Sequence, residues 1–106
     1  MDARIQPVLT DLRTHLEMIY GRRLSRVLLY GSNARGSAET DSDIDLLVVL
    51  QGDVSPCEEI ARTADDVAKI SLKHNVVLAC VFVSHEQFER EQSPLLLNVR
   101  REGIPV

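Results

Sequence analysis

A chain of 106 residues with a formal net charge of −4 and an isoelectric point near 5.3 lacks the basic balance of a dedicated nucleic-acid binder, although Arg22-Arg23, Arg26, Arg35 and Arg100-Arg101 recur along it. Its 44% apolar and 26% charged residues, with no low-complexity run, exclude extensive disorder and suit one compact domain over residues 1–106. Cys57 and Cys80 lack C-x-x-C spacing, no run reaches the ~18 apolar residues of a membrane span, and the N-terminus does not read as a signal peptide, so a reducing cytoplasm is the expected setting.

In chain order, Ile5, Val8, Leu9, Leu12, Leu16 and Ile19 recur at steps of three and four, which predicts an amphipathic helix over residues 4–20, closed by Gly21. His15, beside this stripe, reads as a partly solvated helix residue. Residues 26–30 form a short apolar run, a strand stopped at Gly31, and residues 34–37 suit one helical turn that Gly36 and Ser37 limit. Residues 44–50 are continuously apolar, the pattern of a buried strand. Ser55-Pro56-Cys57-Glu58 supplies an N-cap serine, a first-turn proline and a capping-box glutamate. Cys57, Ile60, Ala61, Ala64, Val67, Ala68 and Leu72 then predict a helix over residues 56–73. Residues 76–83 form a third strand, with Cys80 as a small core residue. Ser84 and Ser93-Pro94 each open a short helix, the first anchored by Phe88 and the second turning Leu95, Leu96 and Val99 inward, before Gly103 and Pro105 end it. The order predicts a small α/β (α+β) fold: a mixed sheet of three or four strands covered by helices.

The chemistry concentrates between the first two strands. Gly31-Ser32 follows one apolar run, and Asp43 and Asp45 lead into the next. Glycine lets backbone amides approach a phosphate closely, and a serine hydroxyl adds a donor. Residues two apart in a strand share a face at roughly 7 Å. Inward-reaching carboxylates ~5 Å apart would repel by roughly 3 kcal/mol at an effective dielectric of ~20. A divalent cation turns that cost into a gain, and Mg²⁺ is usually held by one or two carboxylates with substrate phosphates completing its shell. The residues themselves leave two readings, a solvated turn or a metal–phosphate site; five apolar residues after Asp45 draw its carboxylate toward the buried layer and favour the second.

Gly31-Ser32-Asn33-Ala34-Arg35-Gly36, with Ser42-Asp43-Ile44-Asp45-Leu46 after it, resembles the signature of the DNA polymerase beta-type nucleotidyltransferase superfamily and, within it, the minimal nucleotidyltransferases. The resemblance covers about residues 4–83 and leaves residues 84–106 as a C-terminal helical segment. It implies a nucleoside triphosphate, with ATP favoured, held at Gly31, Ser32, Arg35 and Gly36. It also implies Mg²⁺ at Asp43 and Asp45 as the catalytic pair, with one or two ions, and transfer of a nucleotidyl group to an acceptor hydroxyl. Arg35 would hold the triphosphate or position the loop. Catalytically complete members of the superfamily carry a third carboxylate on a later strand. The corresponding run, residues 75–83, has none, and Glu86 and Glu89 beyond it are the nearest acids.

Two functional expectations follow. One is an Mg²⁺-dependent enzyme moving AMP from ATP to a protein hydroxyl. The family resemblance makes the acceptor a HEPN-type helical partner, with this chain as the antitoxin of the pair. The other is a binding module of the same fold that neutralises such a partner by contact, with little or no catalysis. The apolar residues Leu95, Leu96, Leu97, Val99 and Ile104 suit either core packing or an interface with a partner or a second copy. Neither a membrane nor a nucleic-acid partner is expected.

Overall fold

The computed structural model describes residues 3–39 and 42–106, so Thr40 and Asp41 of the motif loop lie outside the described residues. The chain opens with helix α1 (Gln6–Tyr20) and one 3₁₀ turn over Gly21–Arg23. Strand β1 (Leu24–Tyr30), a single-turn helix α2 (Ser32–Arg35) and strand β2 (Ile44–Leu50) follow. Helix α3 (Pro56–His74) leads to strand β3 (Leu78–Ser84), then to helices α4 (His85–Arg90) and α5 (Pro94–Glu102) and a two-residue strand β4 (Ile104–Pro105). The sheet order is β3-β2-β1-β4, with β1 antiparallel to both β2 and β4 and β2 parallel to β3. This is the expected mixed sheet covered by helices.

β2 is apolar at almost every position because both of its faces are covered. Ile44, Leu46, Val48 and Leu50 pack with Val8, Leu9, Leu12 and Leu16 of α1. Leu47 and Val49 pack on the other side with Phe88 of α4 and Leu96 and Val99 of α5. The two C-terminal helices start where capping serines predict: Ser84 Oγ accepts the Gln87 N–H at 3.0 Å and Ser93 Oγ accepts the Leu96 N–H at 3.3 Å. Among the described residues, no helix is long and apolar enough to cross a membrane.

Some features differ from the sequence reading. Ser55 is the N-cap of α3 by position, but its side chain makes no capping hydrogen bond. Most of the apolar stripe of α3 faces outward, with Ile60 54% and Leu72 83% exposed, and Val67 half-buried against the core; Glu59, Thr63 and Ile70 are the buried residues of the helix. The inward polar groups are satisfied locally, since the Tyr20 hydroxyl donates to Glu59 Oε1 at 2.7 Å, Arg62 Nε donates to the same oxygen at 2.9 Å, and Thr63 Oγ1 donates to the Glu59 carbonyl at 2.9 Å. Helical spacing identifies the helix but not which of its faces meets the sheet. Beyond the end of α5, Ile104 pairs with Leu29 and Pro105 with Leu28 as β4, the fourth of the expected three or four strands.

His15 is half-buried as expected, with Nδ1 2.7 Å from Asp66 Oδ1 across the α1–α3 seam. Cys80 is half-buried against the α1/α3 side of the sheet, and burial pushes its thiol up to about 11, so it is an inert filler rather than a nucleophile. Within the C-terminal segment Leu96 and Val99 are buried as expected, but Leu95, expected inward, is exposed together with Leu97 because it lies off the face of α5 that meets the sheet, and Ile104 lies in β4.

Candidate active site

The site forms where β1 ends and β2 begins. Antiparallel register sets Tyr30 opposite Asp45, so the turn after Tyr30 lies against the first residues of β2. Gly31 takes φ +75° and ψ −156° there, and a Cβ on it would stand 2.5 Å from Asp45 Oδ2. Only glycine combines this backbone with a carboxylate seated directly on it. The Gly31 carbonyl accepts the N–H groups of Ala34 and Arg35, both at 3.1 Å, which starts α2. Gly36, left-handed at φ +75°, closes the turn by donating its N–H to the Ser32 carbonyl. Ser32 and Gly31 are half-buried beside the carboxylates, while Gly36 and Arg35 are exposed.

Asn33 supplies a link that the sequence reading did not contain. It is buried, and its Nδ2 donates to the Asp43 carbonyl at 3.0 Å, tying the turn after β1 to the residue that precedes β2. The Ile44 N–H donates to the Val77 carbonyl at 2.9 Å and fixes the same point from the β3 side. Asp43 is therefore anchored through its backbone while its side chain stays exposed. The carboxyl of Asp45 lies above its ordinary range: burial raises it, the charge of Asp43 adds to the rise, and only Arg35 opposes them. Burial, with the Asp45 charge next and the Cys80 thiol after it, also raises the Tyr30 phenol. Arg35 reaches Glu102 of α5, Nη1 to Oε2 3.4 Å, and so ties α2 to the C-terminal helix.

Two carboxylates, one half-buried, with no ion pair to either among the described residues, form a donor set suited to a hard divalent cation. Among the described residues no group of three His, Cys, Asp or Glu side chains joins them. The register gives the reason: the residue of β3 opposite Asp45 is Ala79. Glu86 and Glu89 do not fill the gap. They lie on α4, which begins after Ser84 at the far end of β3, where Ser84 pairs with Leu50; that end is five residue steps along β2 from Asp45, roughly 17 Å. They pair instead with Arg90 at 3.6 Å and His85 at 3.7 Å. The structure thus brings Gly31, Ser32, Asp43 and Asp45 together, with Arg35 at the rim.

Residues 9–99 match the nucleotidyltransferase domain family. Two proteins of Methanocaldococcus jannaschii, each named as a candidate protein adenylyltransferase, are similar in sequence. One is 36% identical over 76 residues, covering 72% of this chain and 70% of the relative; the other is 25% identical over 72 residues, covering 68% and 72%. A solved structure described as a minimal nucleotidyltransferase aligns with a TM-score of 0.56 at 31% identity, over 98% of this chain and 90% of its own. A nucleotidyltransferase-like structure from Sulfolobus solfataricus shares the fold at a TM-score of 0.60 and 16% identity, over 99% and 86%. With its two aspartates at the mouth of a β-turn-β unit and a family match spanning both, the chain belongs to the nucleotidyltransferase domain family.

Proposed function

We propose that this chain is an Mg²⁺-dependent adenylyltransferase that moves AMP from ATP to a hydroxyl of a separate protein. The observation that carries the reading is the carboxylate of Asp45 seated on Gly31 beside Asp43, raised by burial and by the Asp43 charge, with no ion pair to either acid among the described residues. The names of the two sequence relatives support adenylyl transfer to protein. The resemblance to minimal nucleotidyltransferases favours a HEPN-type helical acceptor, with this chain as the antitoxin of the pair.

In this reading Asp43 and Asp45 hold the metal, which supplies Lewis-acid polarisation of the phosphoryl oxygens. The Gly31 turn admits the triphosphate close to the backbone, and Ser32 adds a hydroxyl donor. Gly36 holds the turn's shape. Arg35 turns from Glu102 to the triphosphate, a stronger anion, and neutralises part of its charge. The acceptor oxygen forms a bond to the α-phosphorus, the bond to the β-phosphate bridging oxygen breaks, and pyrophosphate leaves. Asn33, by holding the Asp43 backbone, keeps the carboxylates in register with the turn. The acceptor proton passes to solvent, since Ala79 offers no base opposite Asp45.

A second reading, a nucleotide-binding module that neutralises its partner by contact with little turnover, is favoured by the same Ala79. One assay separates the two. Labelled ATP, Mg²⁺ and a candidate acceptor are incubated with wild type and with Asp43→Asn. Label that enters the acceptor only with wild type supports the enzyme; neutralisation that survives Asp43→Asn without labelling supports the binding module.

A further inference from the structure

The face of the sheet that carries Asp45 can be followed outward onto β3. Side chains of β3 alternate: Leu78, Cys80 and Phe82 pack toward α1 and α3, whereas Val81 and Val83 pack toward α4 and α5. The same alternation puts Val77 and Ala79 on the second face, which on β2 is the face of Leu47 and Val49, and hence of Asp45. Register sets Ala79 beside Asp45. One step further it sets Val77 beside Asp43, where the Ile44 N–H reaches the Val77 carbonyl at 2.9 Å. Neighbouring strands lie ~4.8 Å apart, so these two residues flank the acids directly. Ala79 is half-buried and Val77, a large apolar side chain, is 58% exposed.

In-line displacement decides what meets this flank. The attacking oxygen and the leaving group stand on opposite sides of the reacting phosphorus. With the triphosphate at the Gly31 turn, pyrophosphate leaves on the β1 side and the acceptor oxygen approaches from β3. We infer, resting on the adenylyl-transfer reading above, that Val77 and Ala79 form the acceptor wall of the site. Val77 selects the acceptor: a protein hydroxyl carried beside an apolar, uncharged group.

The chemistry of the wall excludes the charged alternatives. None of Val77, Ala79 and Val81 carries a charge or a hydrogen-bonding side chain. The nearest preceding bases in the chain, Lys73 and His74, are both held by Asp11 of α1, at 3.1 and 2.7 Å, and α1 packs on the other face. A phosphate or carboxylate beside the acceptor hydroxyl would lose water against Val77 and gain no base in return. A nucleic-acid 3′ end, with a phosphate one sugar away, is disfavoured by the same contact. Ala79 leaves room for the chain that bears the hydroxyl, and Val77 gives that chain apolar surface to cover. The acceptor oxygen bonds to the α-phosphorus, its proton passes to solvent and pyrophosphate leaves. Val77 touches only the flank of the acceptor and takes no part in the proton transfer.

Two readouts on the full chain separate the acceptor wall from the nucleotide site it depends on. The first is the rise in melting temperature given by Mg²⁺ with ATP. The second is label passed from ATP to short peptides holding one serine or one tyrosine, flanked by leucines or by glutamates, and to an oligoribonucleotide with a free 3′-hydroxyl. Wild type is expected to label leucine-flanked peptides at least about tenfold faster than glutamate-flanked ones, and to leave the oligoribonucleotide unlabelled. Val77→Lys, at an exposed position just before the strand, should keep the melting shift and reverse the peptide preference. Val77→Ser adds no charge, and should keep the shift and bring the two peptide classes close to equality. No melting shift in wild type overturns the adenylyl-transfer reading and the wall with it. A wild-type shift with equal labelling of the peptides, with no labelling, or with a labelled oligoribonucleotide overturns the wall alone. So does a preference for leucine flanks that survives both substitutions.

Discussion

Two carboxylates withdrawn from water, Glu59 at the α1–α3 seam and Asp45 at the β1–β2 tip, have opposite surroundings. Glu59 is only 3% exposed, and burial alone would raise its carboxyl; the Tyr20 hydroxyl and the Arg62 guanidinium outweigh that and hold it below its ordinary range. Asp45 is less buried, yet burial lifts its carboxyl above its ordinary range, the charge of Asp43 adds to the rise, and among the described residues no side-chain donor offsets them. Folding has completed the shell of one acid and left the other open. A satisfied buried acid holds elements together; an unsatisfied one beside a second acid is arranged for something that arrives later.

The largest expected effect comes from closing the open shell. Asp45→Asn should lower nucleotidyl transfer by about 10³-fold, the equivalent of several kcal/mol of lost metal-dependent stabilisation. The same change should raise the stability of the metal-free protein by roughly 0.5 kcal/mol, a value kept small because the group is partly solvated. The pH dependence has a definite sign. A carboxyl raised on folding binds more protons in the native than in the unfolded state, so its contribution to stability falls as pH rises through the ordinary aspartate range and the raised native value above it. Metal-free melting curves of wild type and Asp45→Asn should therefore converge in acid and separate toward neutrality, and Mg²⁺ should raise the melting temperature of wild type only.

Opening the closed shell gives the next effect. Glu59→Ala strands the Tyr20 hydroxyl and removes the partner of Arg62, and should cost about 2 kcal/mol in urea unfolding with transfer per folded molecule unchanged. Adding a third acid to the open shell gives the smallest. Ala79→Asp sets a carboxylate opposite Asp45 and should raise transfer about tenfold if proton removal from the acceptor limits the rate, at the low end of general-base effects because the new group is unsupported. Metal-free stability should fall, because three acids would then share one end of the sheet. Steady-state labelling together with thermal melting without Mg²⁺ checks both halves.

Much of this contrast could be read before the fold was in view, and for identifiable reasons. Residues 44–50 announce a buried strand because no position is polar after Asp45, and Ser84 and Ser93 announce helix starts because a hydroxyl before a helical run has one obvious backbone partner. Gly31, Ser32, Asp43 and Asp45 stand out because their spacing fits a strand–turn–strand return. Asn33 does not stand out: its partner is a backbone carbonyl ten residues away, a contact that exists only once β1 and β2 pair. Glu102 is silent for the same reason, meeting Arg35 across 67 residues of chain. Which face of α3 turns inward is not legible because the Tyr20 hydroxyl, 39 residues away, makes a glutamate an acceptable inward residue, and the i,i+3 spacing of Arg62 and Glu59 does not say which way the pair faces.

The short strand at positions 104 and 105 governs how the sheet can grow. Ile104 joins Leu29 from 75 positions away, so the β1 side of the sheet stays unprotected until almost all the rest of the chain has been organised, a slow kind of contact to make. Once in place, Pro105 offers no N–H to an incoming strand, which makes that border a poor template for further pairing. The opposite border, at β3, carries no proline. A sheet blocked on one side and open on the other has a single direction in which it can be extended.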